Sequence, residues 1–86
     1  MEIVRIAGSS RCTSAAGAIA GVVRDHGRAE VRAIGAGAVN QAMKAAAIAR
    51  RYLRVDGIEV ICLPDFVELL IEGQERTALR ITVEPR

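Results

Sequence analysis

At 86 residues and 9.2 kDa the chain has room for one domain, residues 1–86, whose elements must share a single core. Apolar residues make up 51% of it and aromatics only 2%, which excludes disorder and calls for a core of small and β-branched side chains: 15 Ala, nine Val and nine Ile. A net charge of +2 is too small to indicate nucleic-acid binding by composition alone, no stretch free of charge and glycine is long enough to span a membrane, and two cysteines exclude a disulfide scaffold.

The N-terminus opens on a strand-like alternation, Ile3 to Ala7, ended by Gly8-Ser9-Ser10. No basic region followed by an apolar run and cleavage site precedes it, so export is not expected. Cys12 and Cys62, far apart and outside any CxxC, suit a reducing cytoplasm. Ser10 is the predicted N-cap of a helix running to about His26, with Gly27 as the residue that stops it. Cys12, Ala15, Ala16, Ile19, Val22 and Val23 form its apolar stripe. A second strand follows from Ala29 to Ile34. Gly35-Ala36-Gly37 then turns into a long helix from about Ala38 to Arg54, broken by Asp56-Gly57. Ile58 to Leu63 is a third strand, interrupted or bent at Pro64-Asp65 and extended again from Phe66 to Ile71. Glu72-Gly73-Gln74-Glu75 signals a hairpin turn, and Thr77 to Val83 is the last strand.

The order is βαβαββ. Strands joined through a helix lie parallel with right-handed crossovers, and the final hairpin adds an antiparallel pair. The expected fold class is therefore α/β (an α+β two-layer arrangement): a mixed four-stranded sheet with both helices on one face. On the open face, Arg5, Glu30, Arg32, Glu59 and Arg80 fall opposite the core-facing residues and read as a cross-strand ion-pair lattice.

The second helix is the most informative element. Ala42, Met43, Ala46, Ala49 and Leu53 form one stripe, and a narrow polar arc holds Asn40, Gln41, Lys44 and Arg51. More than half of the circumference is apolar, more than one sheet covers. Two readings follow: a second subunit packs here, with Ile48 and Ala45 in a two-fold interface, or exposed alanine is simply tolerated as a good helix former.

The Gly35-x-Gly37-x-x-Asn40 turn lacks the third glycine and the placed acid of a dinucleotide fingerprint, and the chain is too short for the doubly wound sheet. It keeps backbone N–H groups at a helix N-terminus, suited to phosphate, and Ser9-Ser10-Arg11 offers the same at the first helix. Chemistry beyond binding finds no support. His26 is the only histidine, Cys12 and Cys62 read as packing residues, and neither a metal site nor a cofactor is expected. Charge is uneven: residues 1–56 hold eight Arg and one Lys against four acids, residues 57–86 three Arg against six. A basic front of this kind steers a polyanion to one side.

Several segments carry a resemblance. Ala33 through Ala45, with Ile48-Ala49-Arg50, is similar to the bacterial stage V sporulation protein S family. So are Ser9-Ser10, Ala16 through Val22, and the tail from Glu75 to Arg86. That family is similar in turn to the archaeal chromatin protein Alba, clearest here in the second helix and Ile58-Glu59-Val60. The resemblance implies an Alba-like βαβαββ fold, a homo-oligomer, and a DNA- or RNA-binding regulator of sporulation and septum formation. It places Ser9, Ser10, Arg11, Gly35, Gly37, Asn40, Gln41 and Lys44, with the hairpin around Gly73, toward nucleic acid. Family members tend to have proline where Arg11 follows the serines. Alba-like proteins carry lysines and arginines at turns that are largely neutral here, and the hairpin tip is acidic through Glu72 and Glu75. The implied binding is therefore weak and salt-sensitive. The alternative is a non-enzymatic interaction or scaffold module of the same fold.

Overall fold

A computed structural model describes residues 2–86. The elements are β1 (Ile3–Ile6), α1 (Cys12–His26), β2 (Ala29–Ala33), α2 (Ala36–Val55), β3 (Val60–Ile71) and β4 (Gln74–Pro85). They form one four-stranded sheet in the order β1-β2-β4-β3, with β1 parallel to β2 and β4 antiparallel to both its neighbours. This is the Alba-like arrangement the resemblance implied.

The alternation of the strands sorts the two faces. Val31 and Val83 are fully buried beneath the helices together with Ile19, Leu53 and Ile81, the largest enclosed side chains. Around them the core is mostly alanine, including Ala16, Ala20, Ala42, Ala45 and Ala49. Small side chains let α1 and α2 approach closely, and the helices pack against each other as well as on the sheet.

That packing corrects the reading of α2. Part of its apolar surface is covered on its second side by α1, and Ala45 has no exposed surface and cannot touch a neighbouring subunit, whereas Met43 of the expected stripe stays exposed. Ile48 is half-buried and packs against the same core.

The ends of the elements differ from expectation for local reasons. Ser10 does not cap α1. Its hydroxyl accepts from the Ala7 N–H at 2.9 Å while its own N–H donates to the Ala7 carbonyl at 3.0 Å, closing the turn, and Arg11 occupies the cap position. At the other end Gly27, φ 87°, stops the helix as expected. Gly35 turns with φ 90°, which lets α2 begin two residues earlier than predicted.

Pro64 does not break β3, which pairs without interruption from Val60 to Ile71. As the outer strand, β3 tolerates a residue with no N–H to donate. Glu72 and Gly73, both at positive φ, make a two-residue turn whose twist matches the strands. β2 pairs with β4 only over Leu79–Val83, so the hairpin beyond it runs on as a two-stranded arm and stretches the molecule to 42 Å.

Glu59 is not on the open face. It precedes β3 and accepts from Arg50 Nε at 2.8 Å and Arg54 Nε at 3.2 Å, two hydrogen bonds that hold its carboxyl below the ordinary range. The open-face lattice holds Asp65 instead, paired with Arg80. Nor is Cys62 in the core: it lines the groove between α2 and the edge of the sheet, where partial burial pushes its thiol up from its ordinary value.

With so few large core side chains, each matters. Leu53→Ala is expected to cost about 2–5 kcal/mol, read as a lower midpoint in urea unfolding with an unchanged slope.

Candidate nucleic-acid interface

β1 and β2 run parallel, so the turns leaving them emerge at the same end of the sheet. β3 runs in the same direction, being separated from β2 by the antiparallel β4, and its hairpin tip projects from that end as well. The first turn, the start of α2 and the hairpin are thus brought to one end of the molecule.

The two turns touch. A Cβ placed on Gly8 would lie 3.7 Å from the backbone carbon of Gly37 and 3.8 Å from the nitrogen of Ala38. The two backbones are thus about one methyl group apart, which sets the first turn beside the start of α2. Gln41 fastens the pair: its Nε2 donates to the Ser10 carbonyl at 2.8 Å, and the Cys12 thiol reaches the Gln41 carbonyl at 3.9 Å. Gln41 is therefore a brace between the turns, and Cys12 packs beside it.

Neither helix closes its own N-terminus. In α1 the first intrahelical acceptor is Arg11, bonded by Ala15 N–H at 3.0 Å; in α2 it is Gly35, bonded by Val39 N–H at 3.0 Å. The N–H groups of the first turns have no side-chain cap, and neither first turn contains an acid. Two positive helix ends therefore converge on one surface. Ser9, Arg11, Gly35, Gly37 and Asn40 are exposed around it, and Ser10 is half-buried.

Lys44 lies one turn beyond Asn40 on the outer side of α2, lining a shallow groove with Cys12 and Arg51. Sequence reasoning placed Arg51 on the polar arc but assigned it no role. It stands seven residues from Lys44, on the same side of the helix, and the i, i+7 spacing contained that signal. Among the described residues Arg11, Lys44 and Arg51 form no ion pair, whereas Arg24, Arg32, Arg50, Arg54 and Arg80 each meet a carboxylate. The hairpin tip carries exposed Glu72 and Glu75.

The arrangement suits anion binding. No group of three His, Cys, Asp or Glu residues that would hold a metal ion occurs among the described residues, and no described helix is long and apolar enough to cross a membrane. Removing the brace tests its role. Gln41→Ala should cost about 1 kcal/mol in thermal stability while raising amide hydrogen exchange in Ala7–Ser10 and in the first turn of α2, without affecting the far end of the sheet.

Residues 2–86 match the family model of stage V sporulation protein S. The match runs through both turns, both helices and the hairpin arm described above. By this match over nearly its whole length, and with the fold the family resemblance implied, the chain belongs to the stage V sporulation protein S family.

Proposed function

We propose that the protein is a nucleic-acid-binding regulator that acts in the cytoplasm as a homo-oligomer, in processes related to sporulation or septation. The observation that carries this reading is the pair of uncapped, acid-free helix N-termini lying against each other. Backbone N–H groups there serve as seats for phosphate. Ser9 and Ser10 add hydroxyls, Asn40 an amide, and Gly35 and Gly37 let a backbone approach closely. Arg11 and Lys44 supply the charge, with Arg51 extending it along α2. Gln41 acts through Ser10 by holding the corner in shape.

Few cations take part, so the affinity is modest and falls with salt along a shallow line. Retardation of duplex and single-stranded DNA and of RNA is expected at about 50 mM salt. Arg11→Ala and Lys44→Ala should each lower the log–log salt slope by about one unit per protomer. No retardation of any nucleic acid at that salt overturns the reading and favours the scaffold alternative, for which the acidic hairpin tip is the supporting feature.

For self-association, the exposed apolar surface favours the β3 side of α2 rather than Ile48. Met43 is 48% exposed beside the groove that Cys62 lines, and Phe66 and Leu70, each 73% exposed, continue along the helix-side face of the arm. A second copy covering this strip would remove apolar area from water without disturbing either core. Phe66→Glu is expected to halve the mass measured by light scattering. A wild-type protein that is already monomeric, or an unchanged mass in the variant, places self-association elsewhere or removes it.

A further inference from the structure

The open face of the sheet carries an arrangement that neither the fold nor the nucleic-acid reading uses. Arg5, Arg32 and Arg80 stand in register on three neighbouring strands, β1, β2 and β4. Like charges directly opposite one another are destabilising. Two carboxylates answer two of them. Asp65 of β3 takes Arg80 through both oxygens, an interaction that holds its carboxyl below and the guanidinium above their ordinary values. Glu30, only 7% exposed, takes Arg32. Among the described residues Arg5 has no carboxylate, so one unit of positive charge remains, at the edge of the row.

Beside Arg5 the sheet opens into a cavity of about 340 Å³. Arg5 and Arg32 bring their charge to its lining. Ile34, just after β2, and Leu69 and Ile71, brought over by the arm, line it as well. This size is at the lower end of small-molecule sites, which span about 300–1,000 Å³ and combine apolar walls with a few placed polar groups.

We infer that this cavity binds a small amphipathic monoanion, a carboxylate with an aliphatic body. The carboxylate pairs with the Arg5 guanidinium, whose fork fits two oxygens, and the aliphatic part lies on Ile34, Leu69 and Ile71. The residual single charge selects a monoanion. A doubly charged phosphate would leave one negative charge unanswered within reach of Glu30 and Asp65. The same two carboxylates and the apolar wall make this face a poor seat for a polyanion, so the site differs in chemistry from the helix N-termini, although Ala7 and Gly8 of the first turn also line it.

The test is a titration of the full-length protein with octanoate at neutral pH, followed by backbone amide chemical shifts. Octanol serves as the uncharged probe and acetate as the chainless one. Saturable shifts are expected in Arg5, Arg32, Ile34, Leu69 and Ile71 with octanoate, and much weaker ones with either control. Arg5→Gln, at an exposed position where folding is undisturbed, should weaken octanoate about tenfold or more, the loss of a charge-assisted hydrogen bond. Ile71→Ser should weaken octanoate severalfold while leaving the response to acetate unchanged. Absence of saturable binding, octanol binding as tightly as octanoate, undiminished binding in Arg5→Gln, or shifts confined to other surfaces would each overturn the assignment.

Discussion

The close approach of α1 to α2 organises this molecule. Two helices crossing one side of a small sheet ordinarily stand apart by the width of their side chains. Here the shared surface is built from Ala16, Ala20, Ala42, Ala45 and Ala49, all fully enclosed, and at the helix starts the spacing shrinks to glycine against glycine. A core this poor in aromatic mass fills its volume by bringing backbones together, since interiors do not tolerate voids. The surface consequence is that two helix N-termini, each with donors it cannot satisfy internally, end within one patch. A bulkier seam would push them apart, and the convergence of their positive ends would be lost with it.

Most of the architecture was legible in the residues. Period-two and helical patterns place four strands and two helices, Gly27 marks a helix end, and Glu72-Gly73 marks the hairpin. The misreadings share a cause, which is that a neighbour distant in sequence decided the outcome. Ser10 has the chemistry of a helix cap, but the turn it belongs to offers its hydroxyl a nearer donor in Ala7. Pro64 looks like a break until β3 is known to be the outer strand, and no local pattern reveals strand order. The apolar breadth of α2 does not say whether a second helix or a second subunit covers it, because alanine suits both. Glu59 alternates correctly for the open face, yet two arginines one helical turn apart on α2 draw it the other way.

The candidate site was legible as two separate phosphate-suited turns. Their lying side by side was part of that expectation, but the contact of Gly8 with Gly37 across about thirty residues of chain was not. The role of Gln41 was hidden for the same reason: its amide looks like a ligand group in sequence and serves as a brace in space. Arg51 was overlooked because a basic residue late in a helix reads as solvated surface. Only with its neighbours Arg50 and Arg54 committed to Glu59 does its own lack of an ion pair become informative.

The charge asymmetry of the chain acquires a different meaning once pairing is taken into account. Counted along the sequence, a basic front half faces an acidic rear. In space, Glu59 from the rear turns back onto Arg50 and Arg54, Asp65 pairs with Arg80 within the rear, and Arg24 and Arg32 find partners within the front half itself. Much of the formal excess is thereby spent on holding helices and strands in place. Of the cations left without an ion pair among the described residues, Arg11 stands at the start of α1, Lys44 and Arg51 follow along α2, and Arg5 stands at the edge of the open face. A net charge of +2 therefore understates the local field at Arg11, Lys44 and Arg51, because Glu30, Asp56, Glu59 and Asp65, which lower the total, are each held by another arginine.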